Sequence, residues 1–404
     1  MKFGAIADSH FKAVEPWGRI DAEAGINTRL RYKLGMLRQA LQSCVDQDCD
    51  FVVLIGDIFD TYNVPGWLRA AVGRVLSPFV SKIPIIYVPG NHDSNVVGVW
   101  ESEGLLSGGL LGSDDDQLEY PGELRNGFYY IRKPVQIFHD NLGLLFVPYE
   151  HRGQLRSLHT KTKADIVFSH FFIQGAKISE SNTPLSLKGK GVPSSIVEPY
   201  PLVLLGDIHI PQTLPYTKYG VHYPGQLCHL IFNEGDHAPG YLIVDVKPKL
   251  VLNQFVIRND EVKLPFAEID SVDIKRYELN DWIADKVVVS EGQDVDAILE
   301  SACRVYNIEE KIVPDGTAFV LKIVIKGSKT FCDSFPKRKW RTDLLNQNVE
   351  RIFFETEVTQ TSMDKATPIF KGSLSDRWIQ YANLNTINPE AVVLVANRLQ
   401  DLVK

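Results

Sequence analysis

The chain of 404 residues has few cysteines, no long apolar run and no excess of basic residues. Its five cysteines include no closely spaced pair of the zinc-site type, so we expect neither a disulfide framework nor a thiolate-bound metal. The apolar runs, such as 51–55 and 392–396, are far shorter than the roughly 20 residues that cross a bilayer. The first residues also lack the pattern of a cleavable signal. These absences predict a cytoplasmic protein without a membrane span.

The formal net charge of -7 argues against a protein that coats nucleic acid through bulk electrostatic attraction, because such proteins usually carry a basic excess. It does not exclude a nuclease. A site for two dications is surrounded by carboxylates, and its contacts with nucleic acid then depend on local basic patches. The length exceeds that of one typical domain, which predicts two or three folded units.

Apolar runs that end in polar loops alternate with amphipathic stretches through about the first 260 residues. This alternation predicts a layered α/β fold. In 28–48, apolar residues recur at three- and four-residue intervals from Leu30 to Val45, which predicts a helix with one face on the core. The basic residues of this helix are expected to face away from that core: Arg29, Arg31, Lys33 and Arg38. A second helix is predicted at 67–80, and strands at 2–7, 51–55, 84–88, 128–131, 135–138, 144–147, 165–169, 202–205, 241–246 and 250–257.

The sequence changes after about Asp260 to shorter and more charged elements. A strand is predicted at 318–325 and a mixed helix at about 341–354. A final helix begins at Asn388, an N-cap residue followed by a proline suited to the first turn, and one of its faces is apolar.

Five of the apolar strands are each followed by a loop that carries Asp, Asn or His. A single such residue is usually a turn or capping residue, but five loops of this kind predict a shared site, because strand ends converge in layered α/β folds. Carboxylate, carboxamide and imidazole ligands suit manganese, iron, zinc or magnesium, and a shared carboxylate holds two cations about 3.5 to 4 Å apart. The residues are Asp8 with His10, Asp57, Asn91 with His92, His170, and Asp207 with His209.

These motifs resemble, in order, those of the calcineurin-like metallophosphoesterases. The later segment Tyr223-Pro224-Gly225-Gln226 and the form Gly-Asp-Ile-Phe-Asp are similar to the SbcD-type nucleases, the nuclease subunits of SbcC–SbcD DNA-repair complexes. The resemblance with specific motifs covers roughly the first 260 residues. The motifs are Asp8-Ser9-His10, Gly56-Asp57-Ile58-Phe59-Asp60, Gly90-Asn91-His92-Asp93, Phe168-Ser169-His170 and Gly206-Asp207-Ile208-His209.

The resemblance implies a two-sheet sandwich flanked by helices, with two divalent cations, most readily Mn²⁺, with Mg²⁺ as the alternative. It assigns Asp8, His10, Asp57 and His209 to one cation, and Asp57, Asn91, His170 and Asp207 to the other. Asp57 would bridge the two, and His92 matches the histidine that protonates the leaving oxygen. Asp60 and Asp93 belong to the same motifs, and we expect them to support the ligands or the turns.

One position departs from the family pattern. Where the family has Gly-His-x-His, this chain has Asp207, a carboxylate in place of an imidazole. A carboxylate still binds a divalent cation, and its added negative charge favours manganese or magnesium. We therefore hypothesise that Asp207 is a ligand.

The resemblance to SbcD also implies a DNA-capping domain, here 261–360, after the nuclease domain, 1–260. The segment 361–404 would then bind an SMC-like ATPase of the SbcC type. The chain would also act as a homodimer, through the region near Trp67 and the region from Trp100 to Leu111. Both regions are equally compatible with a position in the core. The best candidate for contact with the phosphate backbone is a basic stretch that also offers a tryptophan for stacking on a base: Lys337, Arg338, Lys339, Trp340 and Arg341.

The sequence thus predicts a nuclease that cuts DNA phosphodiester bonds, exonucleolytically and endonucleolytically, in repair, recombination or replication. One alternative is an enzyme of the same fold that acts on a small phosphoester, although such an enzyme would not need the long region after Asp260. The other alternative is an ATPase-binding scaffold whose site is impaired by Asp207.

Overall fold

The computed structural model describes residues 1–15, 18, 20, 25–93, 100, 106–112, 119–120, 123–178, 191–230, 237–250, 267–279, 284–298, 319–345 and 349–358. The predicted strand 250–257, apart from Leu250, the predicted final helix and the predicted partner-binding segment 361–404 lie outside these residues. None of the helices in the described ranges is long and apolar enough to cross a membrane.

The described residues up to Glu278 include two seven-stranded sheets and five helical segments. In the first sheet the strands follow the order β14-β13-β1-β2-β3-β6-β4, and in the second the order β11-β12-β10-β9-β8-β7-β5. The elements are β1 (Lys2–Ala7), α1 (Thr28–Asp46), β2 (Phe51–Ile55), α2 (Gly66–Val80), β3 (Pro84–Val88), β4 (Gly109–Leu111), β5 (Glu119–Tyr120), β6 (Gly127–Ile131), β7 (Val135–His139), β8 (Leu142–Val147), a 3-10 helix (Tyr149–Gln154), α3 (Leu155–His159), β9 (Ile166–His170), a second 3-10 helix (Ser194–Ile196), β10 (Leu202–Gly206), β11 (Gln212–Leu214), β12 (Val221–Tyr223), β13 (Gly240–Leu250) and β14 (Ala267–Glu278).

The two sheets pack face to face, which explains why their central strands are apolar on both sides rather than alternating. Phe3 stacks on Phe51 within the first sheet, with ring centroids 5.1 Å apart. Phe168 of the second sheet meets Phe3 edge-on at 5.3 Å and stacks on Phe146. These rings are fully buried, and each contributes on the order of 1.5 to 3 kcal/mol through its burial. The predicted two-sheet α/β sandwich is confirmed.

Helices α1 and α2 cover the outer face of the first sheet. Asn27 caps α1, because its side chain accepts hydrogen bonds from the backbone of Arg29 and Leu30. The predicted orientation of the basic residues of α1 is wrong for two of them: Arg29 is 1% exposed and Lys33 is 0% exposed. Both are buried because backbone carbonyls accept from them, Arg29 Nη2 donating to His229 O at 2.8 Å and Lys33 Nζ to His10 O at 2.7 Å. Arg31 and Arg38 are exposed, as expected.

The two aromatic side chains considered for a dimer interface lie in different environments. Trp100 is fully buried and packs against Phe59 and Phe128, with ring centroids 5.6 and 5.1 Å away. Trp100 is therefore a core residue, which is the alternative to a place in the dimer interface. Trp67 is 46% exposed.

A three-stranded sheet with the order β15-β16-β17 follows in the C-terminal part of the chain. The predicted mixed helix at 341–354 is only half correct: α5 ends at Leu345 and a strand begins at Val349, where β-branched and aromatic residues favour pairing in a sheet. The elements are β15 (Ala284–Ser290), β16 (Phe319–Gly327), α4 (Lys329–Ser334), α5 (Lys337–Leu345) and β17 (Val349–Val358).

The chain forms two compact units, and the first includes all of Met1–Lys286. Strand β14 pairs antiparallel with β13, so the first sheet continues beyond residue 260. The division into 1–260, 261–360 and 361–404 stays a prediction.

Candidate metal centre

The predicted ligands come together where the strands of the two sheets end. Strands β1, β2 and β3 run parallel in the first sheet, and β9 and β10 run parallel in the second. Because parallel strands have their carboxyl ends at one edge, the loops that follow them meet there. Three groups of residues place their ligand atoms within 4.8 Å of one another: Asp8, His10 and His209; Asp8, Asp57 and His170; His10, Asp60 and His92.

The backbone turns sharply at four of the predicted ligands. Asp8, His10, Asp57 and Asp207 have positive φ angles of 52°, 44°, 50° and 86°. Non-glycine residues adopt this region only where neighbours hold them. Here His10 N donates to Asp57 O at 2.9 Å, and Asp207 N donates to Asp8 Oδ1 at 3.2 Å. These turns aim the side chains at a common point.

Asp57 lies at the middle of the cluster. Its Oδ2 is 3.5 Å from His10 Nε2, 3.3 Å from His170 Nε2 and 4.0 Å from His92 Nε2. Its Oδ1 accepts a hydrogen bond from the backbone of His92 at 3.0 Å. A carboxylate with an oxygen between imidazoles of different loops has the position that a bridging ligand requires.

His170 joins the second sheet to this cluster. Its Nδ1 is 3.0 Å from the carbonyl oxygen of Ile55, an acceptor, so this nitrogen carries the proton in the neutral ring. Its Nε2 therefore faces Asn91 Oδ1 at 3.0 Å, and Asp8 Oδ1 and Asp207 Oδ1 each at 4.0 Å. Asn91 and Asp207 are thus next to the ligand atom of His170, as the predicted second set requires.

Two glycines make this close approach possible. A Cβ atom at Gly56, whose φ is +73°, would collide with the ring of His170. A Cβ atom at Gly90 would collide with the carboxylate and backbone of Asp57. The glycines of the two motifs therefore let the backbone of one loop lie against the ligand of another.

Asp60 holds two histidines of the cluster. Its Oδ1 is 3.2 Å from His10 Nδ1, its Oδ2 is 3.1 Å from Lys12 Nζ, and its backbone oxygen accepts from His92 Nδ1 at 2.6 Å. Burial alone would raise the pKa of Asp60, but His10 and Lys12 outweigh it and lower that pKa to about 2. The contacts leave Nε2 of both histidines directed at Asp57, so Asp60 supports the ligands as expected.

Asp93 has the structural role expected of it. The side chain is fully buried and accepts from the backbone nitrogens of Ile58, Phe59 and Gly90 at 3.2 to 3.3 Å. Burial and the nearby carboxylate of Asp57 raise its pKa to about 6. It ties the turns after β2 and β3 together.

The buried charges of the cluster are incompletely matched within the protein. Burial raises the pKa of Asp8 to about 7, although His170 and His209 act in the opposite direction. Burial would also raise the pKa of Asp57, but His170 and His10 lower it well below its ordinary value. Asp8 Oδ2 and His10 Nε2 are buried without a hydrogen-bond partner. Unpaired carboxylate oxygen and imidazole nitrogen atoms at one buried point fit divalent cations.

A family model for calcineurin-like phosphoesterases matches residues 1–211, which is more than half of the chain. The chain belongs to this family. Its members hydrolyse phosphoesters with divalent metals, and the cluster at the strand ends supplies the groups for this chemistry. The phosphoesterase is also similar to three solved structures at 12 to 14% identity.

The first of these structures is an archaeal phosphodiesterase, with 12% identity over 61% of this chain and 93% of that chain, and a TM-score of 0.29. The second is a dimetal phosphatase from Danio rerio, with 14% identity over 60% of this chain and 92% of that chain, and a TM-score of 0.33. The third is GAP50, the anchor in the inner membrane complex of Plasmodium, with 14% identity over 67% and 89%, and a TM-score of 0.35.

The basic stretch predicted to contact DNA lies on α5. Arg338, Lys339 and Arg341 are exposed, and Lys339 Nζ lies 3.6 Å from Asp296 Oδ1. The predicted stacking of Trp340 on a base is wrong, because Trp340 is only 5% exposed. Since the indole is buried in the protein, the stretch offers cationic groups but no aromatic platform.

Sequence reasoning missed the two buried cations of α1, Arg29 and Lys33. The two residues are four positions apart, so they lie on one face of the helix. That face is expected to be exposed, because charged side chains are seldom fully buried. A signal was available: Leu30 and Leu34 follow them directly, so both cations adjoin the apolar stripe of the helix.

Proposed function

We propose that this phosphoesterase is a two-metal DNA nuclease that cuts phosphodiester bonds at DNA ends, exonucleolytically and endonucleolytically. It works with an SMC-like ATPase of the SbcC type in DNA repair, recombination or replication, as a homodimer. One observation supports the hydrolytic activity in this proposal. Asp57 Oδ2 lies 3.3 to 4.0 Å from the Nε2 atoms of His10, His170 and His92.

Two groups of ligands surround Asp57. We assign Asp8, His10 and His209 to one side of Asp57, and His170, Asn91 and Asp207 to the other. Asp8 Oδ1 also lies 4.0 Å from His170 Nε2. Divalent cations held by these residues would make an attacking water more acidic and would offset negative charge on the phosphoryl oxygens. Mn²⁺ is the favoured ion, because carboxylate and carboxamide oxygens predominate over imidazoles on the side that contains Asp207.

His92 serves as the general acid in this proposal. Its Nδ1 donates to the backbone oxygen of Asp60 at 2.6 Å, which fixes the ring and leaves Nε2 facing the cluster. The side chain is 39% exposed, so a substrate oxygen has access to it. A proton held at Nε2 is then in position to pass to the leaving oxygen.

Two features favour DNA over a small phosphoester. The SbcD-type motifs Gly56-Asp57-Ile58-Phe59-Asp60 and Tyr223-Pro224-Gly225-Gln226 are the first. The second is the region after residue 278, whose helix α5 presents Arg338, Lys339 and Arg341 to solvent. Exposed cationic side chains of this kind neutralise backbone phosphates.

The test is cleavage of end-labelled linear DNA, single- and double-stranded, with Mn²⁺ or Mg²⁺, by the chain alone and with its ATPase and ATP. Metal-dependent cutting that is lost in His92→Ala and Asp57→Ala supports the proposal if it is kept in the control His159→Ala, at an exposed residue of α3. Hydrolysis of a small phosphodiester without any cutting of DNA would instead identify an enzyme of small substrates. No hydrolysis of either would favour a scaffold with an impaired site.

Charge reversal at Arg338 and Lys339 tests the DNA contact separately. It should weaken DNA binding, because the reversed charges repel the backbone phosphates, and it should leave the hydrolysis of a small phosphodiester unchanged, because neither side chain is among the predicted metal ligands. Equal losses on both substrates would contradict a role in DNA binding.

A further inference from the structure

A buried ion pair lies directly behind the loop that carries Asp8 and His10. Lys33 of α1 is 0% exposed and Glu15 is 5% exposed. Lys33 Nζ donates to Glu15 Oε1 at 2.8 Å and to the backbone oxygen of His10 at 2.7 Å. A second contact ties the same loop to α1, because the helix cap Asn27 donates to the backbone oxygen of Glu15 at 3.2 Å.

The contact with Lys33 completes the restraint of His10. The backbone nitrogen of His10 donates to Asp57 O, and its Nδ1 lies 3.2 Å from Asp60 Oδ1. Its carbonyl oxygen is held by Lys33, and its φ of 44° needs such support. With three sides of the residue fixed, Nε2 faces Asp57 Oδ2 at 3.5 Å and Asp8 Oδ1 at 4.0 Å.

Stability of the fold alone does not account for this arrangement. Taking two charges out of water costs several kcal/mol per ion, and apolar residues of similar volume usually replace a buried pair without loss of stability. The buried pair of Lys33 and Glu15 also holds a polar group in place. Here that group is the backbone of a predicted metal ligand.

We propose that Lys33 is a positioning residue of the metal centre. It fixes the backbone of His10 from the helical layer, so that Nε2 keeps its direction towards the cluster. Glu15 compensates the charge of Lys33 and thereby keeps the ammonium group from repelling nearby cations. Neither side chain needs to touch a cation for this role.

The experiment compares Lys33→Met with Arg29→Met by calorimetric titration with Mn²⁺. Arg29 is a matched control, because it lies one turn earlier on α1, is equally buried and also donates to a backbone carbonyl, that of His229. We expect Mn²⁺ affinity to fall about 10- to 100-fold in Lys33→Met, the usual effect of removing a group that orients a ligand, and to stay native in Arg29→Met.

The sign of the effect separates positioning from simple electrostatics. Removing a positive charge next to a cation site should strengthen cation binding by Coulomb's law. Weaker binding in Lys33→Met therefore reports the loss of the restraint on His10. Unchanged or tighter binding in a folded Lys33→Met chain would overturn the proposal, and so would an equal loss in Arg29→Met.

A double variant keeps the test decisive if Lys33→Met does not fold. Lys33→Met with Glu15→Gln removes both charges, so no unpaired ion is left in the interior. We expect this variant to fold, as measured by urea denaturation, and still to bind Mn²⁺ at least tenfold more weakly than the native chain. Native affinity in the double variant would overturn the proposal. Because the titration uses Mn²⁺ alone, its outcome is independent of whether DNA is the substrate.

Discussion

The two sides of the metal centre differ in how deeply their side chains are buried and in how many contacts restrain their loops. On the side of β1 and β2, Asp8, His10 and Asp57 are at most 3% exposed, and Asp60, Asp93 and Lys33 restrain their loops. On the side of β10, the side chain of Asp207 is 28% exposed and its Oδ1 lies 4.0 Å from His170 Nε2. The side of β1 and β2 is therefore preorganised, whereas the side of β10 is more open.

This difference in exposure gives a physical reason why the departure from the family pattern occurs at position 207. An imidazole-to-carboxylate change in the crowded part of the cluster would add a buried charge among fixed neighbours. At position 207 water shares the solvation of the carboxylate, and the side chain has room to adjust. The comparison therefore predicts that substitutions on the side of β1 and β2 have larger effects than substitutions on the side of β10.

The largest loss is expected from Asp57→Asn, which removes the central carboxylate with little change in shape. We expect phosphodiesterase activity with Mn²⁺ to fall more than about a hundredfold, beyond the usual effect of residues that only orient ligands. Steady-state hydrolysis of a small phosphodiester measures this. Asp50→Asn, at an exposed residue next to β2, is the control. Activity within tenfold of native would mean that Asp57 does not bridge the cations.

Asp60→Ala should produce the next largest effect, because it frees the Nδ1 side of His10 and removes the partner of Lys12. The expected loss in Mn²⁺ affinity is about 10- to 100-fold. Asp60→Asn retains an oxygen that accepts from His10, so it should lose less. Calorimetry on both variants tests this order, and a greater loss in Asp60→Asn than in Asp60→Ala would contradict it.

A smaller effect is expected at Asp207. Its replacement by alanine should weaken Mn²⁺ binding by about tenfold, at the low end for a group near a metal, because water fills the open position. Asp207→His, which introduces the histidine usual in the family, should bind Mn²⁺ more tightly than Asp207→Ala does. Unchanged metal affinity in Asp207→Ala would show that the carboxylate is not a ligand.

Asp165, immediately before β9 and five residues before His170, should affect stability without affecting the metal centre. Burial raises its pKa to about 6, while its side chain accepts from Gly143 N at 2.8 Å. The folded state binds this proton more tightly than the unfolded state, so the stability contributed by the protonated form is lost as pH rises from about 4 to about 6.

The variant Asp165→Asn keeps the acceptor and removes the buried charge. At pH 8 it should be more stable than the native chain by about 1 to 3 kcal/mol, and below pH 4 the difference should disappear. Urea denaturation at the two pH values measures this, and Mn²⁺ affinity should remain native. The same stability difference at both pH values would exclude titration of Asp165 as the cause.

Much of the fold followed from local patterns. Strands β1, β2 and β3 lie within the predicted bounds, because strands buried on both faces leave continuous apolar runs that end at a polar loop. The helix α1 was found from its apolar spacing and ends at Asp46, two residues before the predicted end. The segment after Leu345 was predicted wrongly, because a mixture of charged and apolar residues has no clear period in a short strand.

The sequence by itself determined which residues stand at the ends of the strands, since apolar runs and glycine-containing turns are local features. It also determined the chemical type of the ligands. Only the tertiary structure decided that Asp207 N donates to Asp8 Oδ1 across 199 positions, that Lys33 is buried against His10, and that Trp340 is buried. These outcomes depend on how the layers pack, and packing brings together residues whose separation along the chain carries no local signal.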